Sequence, residues 1–263
     1  MPPVDHFPST HATWIDAQLT IIDGADGAPA GPHAARAETA REALRRHLWE
    51  RYHAPLRAYV HGGSLRRAGE PDDLVAGYFA DRVTAPDFLP AWRRSTMPLR
   101  RWMMNGMGFY ARGVVRDRLR DRLRPFTDLS DSAAAGGASS STGAEEALLP
   151  AEERTAEAAF ERAWAIAVLD AAHAQAHAQL SAEGRLDEYD VFRRRVIDGE
   201  GYDTIGPSVG MSAQQCAGAT RLVSQRMAAA LREVLRAEGV RESEMDRTVQ
   251  DVQRAVGAAG GGT

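Results

Sequence analysis

Apolar residues recur along this chain at intervals of three and four, the spacing that places them on one face of an α-helix, and no segment shows the sustained alternation of a β-strand. Leu44, Leu48, Tyr52, Leu56 and Tyr59 form the first stripe. Thr39 as N-cap, with Glu42 three residues on, predicts where this helix starts, Pro55 predicts a kink, and His61-Gly62-Gly63 predicts its end. Pro71 suits the first turn of a second helix, where Asp72 and Asp73 complement the positive end of the dipole. Leu74, Tyr78, Phe79 and Val83 are its buried stripe, and Pro86 and Pro90 are expected to close it. Leu99, Trp102, Met103, Met107 and Tyr110 carry the pattern onward. It returns at Phe160, Trp164, Val168 and Ala171, in Tyr189, Phe192 and Val196, and in a long helix from Ser212 to about Glu238. Met245, Val249, Val252 and Val256 have the spacing for one more amphipathic helix, folded back on the domain before it. The predicted fold class is all-α.

Composition divides this helical pattern. Residues 1–38 read as a loosely ordered extension, and 39–126 as a first domain. The segment TDLSDSAAAGGASSSTGAEE has almost no core-forming side chains, which makes 127–155 a flexible linker. A second domain is expected at 156–239 and a tail at 240–263. With 263 residues, 44% hydrophobic and 26% charged, the chain has the make-up of a globular protein. The absence of a long apolar run and of a secretory signal pattern predicts a cytoplasmic protein without a membrane partner. A single cysteine, Cys216, excludes an intrachain disulfide. All 32 basic residues are arginine, a chain-wide bias that singles out no site.

Charge does single one out. Between Arg93 and Arg124 ten arginines face only Asp117 and Asp121, a local balance of +8 in a chain whose total is −4. Such a cluster attracts a polyanion, and interleaved aromatic faces can stack on unpaired bases. Arg100, Arg101, Arg112 and Arg116 are the candidate phosphate contacts; Trp102, Phe109 and Tyr110 are the candidate base contacts. The competing reading is that many of these large residues are the core stripe of an amphipathic helix.

A second candidate lies in GYDTIGPSVGMSAQQCAGATRLVSQRM, a short helix, a glycine turn at Gly210 and a longer helix. Ser212 and Gln215 have capping-box spacing, and Met211 with Cys216 stand as a hydrophobic staple. If Cys216, Thr220, Val223, Met227, Leu231 and Val234 face the core, then Gln214, Gly218, Arg221 and Gln225 face outward. Glutamine pairs with adenine and arginine with guanine in the major groove.

Together with FPSTHATWI, the segments RYHAPLRAYV, DDLVAGYF, LRRWMMNGMGFYARGVVRDR, FERAWAIAVLD and GYDTIGPSVGMS resemble, in order and spacing, the extracytoplasmic-function sigma factors of bacterial RNA polymerase, and within them the long-linker subgroup of planctomycetes. The resemblance implies a region-2-like helical bundle and a region-4-like helix-turn-helix joined by a flexible linker. Core RNA polymerase and promoter DNA are the implied partners, and an anti-sigma protein is the kind of partner that would control such a factor. It also implies that Asp72, Asp73, Ala76, Gly77 and Ala80 bind the polymerase clamp, that the arginine-aromatic stretch melts the minus-ten element, and that the helix opened by Ser212 reads the minus-thirty-five element. One departure is Gly206-Pro207-Ser208 inside the first helix of the helix-turn-helix, where proline costs about 3 kcal/mol if the helix continues. A helix-turn-helix regulator acting without polymerase, and an adaptor that binds only protein, are the alternatives.

Enzymatic readings find little support. His173 and His177 lie four apart with Asp170 one turn earlier, but the Glu of a zinc-protease motif is missing. No phosphate loop, dinucleotide fingerprint or nucleophile elbow occurs. The expectation is a protein that is not an enzyme and holds neither metal nor cofactor.

Overall fold

The computed structural model describes residues 12–25, 31–95, 97–123 and 151–257, and among them every regular element is helical. In chain order the helices are α1 (Ala12–Asp23), α2 (Pro32–Gly62), α3 (Pro71–Tyr78), α4 (Phe88–Arg94), α5 (Leu99–Leu123), α6 (Ala151–Ala182), α7 (Leu186–Val196), α8 (Tyr202–Val209), α9 (Ala213–Ala237) and α10 (Met245–Gly257). No helix among the described residues is long and apolar enough to cross a membrane.

Two compact units divide the chain, one of Arg45–Trp164 and one of Met1–Leu44 with Ala165–Thr263, so that the boundaries fall within α2 and α6. Of the expected linker, residues 127–150 lie outside the described residues, and 151–155 open α6.

In the Arg45–Trp164 unit, Leu48, Tyr52 and Leu56 of the expected α2 stripe are closed to solvent, but Tyr59 is only half-buried and the neighbouring Val60 completes the buried face. Each such side chain contributes about 1.5–3 kcal/mol by leaving water. Pro55 lies inside α2, which runs on to Gly62. The helix begins earlier than Thr39 suggests. Pro32 occupies its first position, where a missing N–H costs nothing, and the Thr39 hydroxyl bonds back to the Ala35 carbonyl at 3.0 Å, as a threonine within a helix does. Near its other end α2 comes so close to α6 that a Cβ on Gly62 would lie 3.3 Å from Ala156 and Ala159.

Pro71 starts α3, with Asp72 and Asp73 in its first turn, and a π-helical turn at Phe79–Val83 follows directly. Leu74, Tyr78, Phe79 and Val83 are buried, and so is Val75. Pro90 does not end this segment. It sits in the first turn of α4, among the N–H groups that have no intrahelical acceptor in any helix.

The α3 and α5 backbones approach each other through reciprocal glycine-tyrosine seats. A Cβ on Gly77 would collide with the Tyr110 hydroxyl, and one on Gly106 with the Tyr78 hydroxyl. The Tyr78 ring lies 5.8 Å from that of Tyr110 and 6.2 Å from that of Phe88. Its hydroxyl is buried without a hydrogen-bond partner, and burial pushes its pKa well above the ordinary tyrosine range.

In the other unit α9 is the central element. Helices α1, α7, α8 and α10 all pack on it. The N-terminal segment read as an extension contributes α1, whose Ile15 and Leu19 are buried. Val191, Ile205, Cys216 and Ala219 form the core of α7, α8 and α9, with Tyr202, Val209 and Met211 against it. Met245, Thr248 and Val252 of α10 are buried. Ion pairs tie the periphery to α9: Arg226 to Glu183 at 3.0 Å, Arg232 to Asp246 at 2.5 Å and Arg236 to Glu242 at 3.1 Å.

Candidate nucleic-acid interface

Helix α5 buries Leu99, Met103, Met104, Met107 and Ala111, so its core stripe follows the helical period. The arginines and aromatics around that stripe do not share one fate. At the N-terminal end the Arg100 guanidinium lies 4.6 Å from the Trp164 ring centroid with its Nε 3.6 Å from Glu161, and its side chain is only 19% exposed. Arg101 Nη1 donates to Glu157 at 3.3 Å. Glu157 and Glu161, one turn apart on α6, thus offset two of the positive charges within the same unit.

Two of the three candidate aromatics are also engaged internally. Trp102 is half-buried, edge-on to Phe88 at 6.0 Å, with its indole N–H closed to solvent and without an acceptor. Tyr110 donates to Asp81 at 3.1 Å and covers Gly77; burial, and then the Asp81 carboxylate, raises its pKa. Phe109 is different. It is 71% exposed, and Arg112 lies 5.1 Å from its ring centroid. Arg116 is exposed one turn further on, and Arg120 after it. Arg118 instead turns back to the Ala68 carbonyl, beside Gly69.

The structure therefore brings Phe109, Arg112 and Arg116 onto one solvent-facing ridge and places Arg100, Arg101, Trp102 and Tyr110 in internal contacts. Arg120 belongs to that ridge too. Its signal in the sequence is its position four residues after Arg116, obscured there by arginines that point elsewhere.

Asp73 and Ala76 of α3, and Ala80 of the π-helical turn that follows it, are exposed. Asp72 is exposed but held by its own unit, with Oδ1 3.1 Å from Arg57 Nε and 3.5 Å from His53 Nε2. Gly77 lies beneath Tyr110.

The helix-turn-helix segment forms as two helices around a left-handed turn. Gly210 ends α8 with φ of 70°, a conformation that favours glycine, and its N–H bonds the Gly206 carbonyl. Met211 N–H bonds the same carbonyl at 3.0 Å. A Cβ on Gly206 would strike the Met211 carbonyl, which explains the glycine that interrupts the pattern. Helix α8 continues through Pro207, which is exposed.

Ser212 caps α9 in a complete capping box: its hydroxyl accepts from the Gln215 N–H at 3.3 Å, and its own N–H donates to Gln215 Oε1 at 2.8 Å. Ser212 and Gln215 are thereby committed to holding the helix. Gln214, Gly218, Arg221 and Gln225 are all exposed, whereas Cys216, Val223, Leu231 and Val234 are buried and Thr220 and Met227 are half-buried.

A polar network fixes the approach to this motif. Arg194 binds Glu200 through Nε at 3.0 Å and Nη2 at 2.5 Å, and reaches the Ser208 hydroxyl on α8 at 2.6 Å. These hydrogen bonds hold the Glu200 carboxyl below the usual carboxylate range. Arg195 lies over the Tyr202 ring at 5.1 Å.

His173 and His177 pack around Tyr189, His173 through a hydrogen bond and His177 with ring centroids 4.9 Å apart. Among the described residues no group of three His, Cys, Asp or Glu side chains could hold a metal ion. No family model, curated protein or solved structure matches this chain.

Proposed function

We propose that the protein is a DNA-binding factor of transcription initiation, acting with core RNA polymerase in the manner of an extracytoplasmic-function sigma factor. The observation that carries the reading is α9: a fully capped helix, set across a left-handed glycine turn from α8, with Gln214, Arg221 and Gln225 exposed on its outer face. Side chains of these types on the N-terminal half of such a helix pair with base edges in the major groove. The Phe109, Arg112 and Arg116 ridge supports the second half of the reading. It joins an exposed ring that can stack on an unpaired base to guanidinium groups that can hold phosphates. The exposed Asp73 and Ala76 of α3, with Ala80 of the π-helical turn after it, are where the polymerase clamp would dock.

One observation favours a plain helix-turn-helix regulator. With Arg100 and Arg101 paired to Glu161 and Glu157, and Trp102 and Tyr110 half-buried, the surface left for capturing melted DNA is smaller than the sequence suggests. Strand separation costs about 1.4 kcal/mol per base step, so this surface would need polymerase to complete it.

Transcription from a randomised promoter library by purified core polymerase, with and without this protein, separates the readings. Transcripts that start downstream of an enriched motif only when both are present are expected, and Arg221→Ala should remove the enrichment of its upstream element. Footprinting of DNA by the protein alone, with no new transcripts, would replace this reading by the regulator. Binding to core polymerase without any footprint would leave the adaptor.

A further inference from the structure

A glycine inside a helix is less favourable than alanine, because the unfolded chain loses more freedom and no side chain packs. Within the described helices most interior glycines have an internal reason. Gly77 and Gly106 seat tyrosine hydroxyls, Gly108 lies against Tyr59 and Arg112, and Gly206 lies against the Met211 carbonyl. Two do not. Among the described residues a Cβ on Gly113 of α5 or on Gly218 of α9 would meet nothing within 4 Å, and neither glycine has the positive φ that calls for glycine.

These two positions stand in matching rows. Phe109, Gly113, Arg116 and Arg120 follow one another along α5 at intervals of four, three and four residues, and Gln214, Gly218, Arg221 and Gln225 repeat those intervals along α9. Such intervals keep each row on one helix face, and in both rows every residue other than Gly113, which is half-exposed, is exposed. Each glycine leaves bare backbone with an arginine one turn further on. The notch admits an object closer to the helix axis than any side chain would, and the guanidinium beside it favours one with negative charge.

We propose that Gly113 and Gly218 are the points at which DNA comes against the backbones of α5 and α9, the unpaired strand at the first and the edge of a duplex groove at the second. This rests on the DNA-binding reading above and adds to it the reason for two glycines that packing among the described residues does not explain. Glutamine beside Gly218 suits base edges, and Phe109 beside Gly113 suits an unpaired base.

The test uses the full chain with Gly113→Ala, Gly113→Leu, Gly218→Ala and Gly218→Leu, two residues that both favour helix. Since the space is open, the alanine variants should melt about 2–4 °C higher than the parent. Binding should move the other way: Gly218→Ala should lose about tenfold on a duplex selected from a random-core pool, and Gly113→Ala a similar factor on a short oligothymidylate, with the leucine variants weaker still. Unchanged affinity in the more stable variants would overturn the proposal, and so would a lower melting temperature, which would reveal an internal role. Equal weakening of binding to polyglutamate would assign the notches to an acidic protein and also overturn it. If Arg221→Ala loses duplex binding while the glycine variants bind like the parent, the DNA reading stands and this inference falls. If all of them bind like the parent, both fall.

Discussion

Helices α5 and α9 are each 25 residues long and each carries a candidate DNA-binding row, yet they reach it by opposite routes. In α9 one face is apolar and the opposite face holds Gln214, Gly218, Arg221 and Gln225, all of them in solvent. In α5 arginines and large side chains surround the helix, and other elements of the same unit decide which of them remain available. Glu157 and Glu161 take up Arg101 and Arg100, Asp81 takes up Tyr110, Phe88 covers Trp102, and the Ala68 carbonyl takes up Arg118. A dense cluster of charge is therefore a weaker guide to which side chains stay in solvent than a sparse polar face opposite a clean apolar one.

The largest effect that bears on this comparison is expected at the turn that aims α9. Gly206→Ala sets a Cβ against a backbone carbonyl, which cannot rotate away, so urea unfolding should show a loss of about 3 kcal/mol. Gly106→Ala in α5 meets the end of a tyrosine instead, and should cost about 1–3 kcal/mol. Adding Tyr78→Phe should recover most of that loss, because the hydroxyl it removes is buried and unpaired. A similar loss in both single variants, with no recovery by Tyr78→Phe, would show that the two glycines are not distinguished by what opposes them.

Within α5 the two ends should respond differently. Arg100→Ala removes a stacked and ion-paired side chain and should cost about 1–2 kcal/mol of stability while leaving the salt dependence of DNA binding unchanged. Arg116→Ala should change stability by no more than about 0.5 kcal/mol and lower the slope of log affinity against log salt by about 0.7–0.9. Equal slopes in both variants would mean that the Glu157 and Glu161 contacts do not withdraw Arg100 and Arg101 from DNA.

The smallest effect concerns pH. The folded Glu200 carboxyl titrates below the usual glutamate range because Arg194 hydrogen-bonds its charged form. Its contribution to stability is thus complete above that range and is lost as the pH falls through the lower, folded value. An NMR titration should place Glu200 among the last glutamates to protonate, and Glu200→Gln should flatten the acid limb of the stability profile for this unit. A carboxyl that titrates with the other glutamates would show that Arg194 does not hold Glu200 in solution.

Much of the local structure was legible. The spacing of Leu48, Tyr52 and Leu56 gave the buried face of α2, Pro71 with Asp72 and Asp73 gave the start of α3, and Ser212 with Gln215 gave the cap of α9. Thr39 and Glu42 carry the same capping signature without the outcome, since Pro32 had already opened the helix and a threonine hydroxyl bonds equally well to the carbonyl one turn back. Pro90 misled for a related reason: proline ends a helix and also suits the first turn of the next.

What the sequence determined by itself is the helical class, the Leu48, Tyr52 and Leu56 face of α2 and the outward face of α9, because each depends on residues three or four positions apart whose geometry the helix fixes locally, whereas Val196, expected in the α7 stripe, is exposed. Tertiary structure alone decided that Arg100 and Arg101 meet carboxylates about sixty positions away, that Gly106 is a seat for Tyr78, and that α1 packs on α9. Those outcomes depend on distance in space between segments far apart in the chain. Spacing along a single helix encodes which way a side chain points, but not which group it will find there.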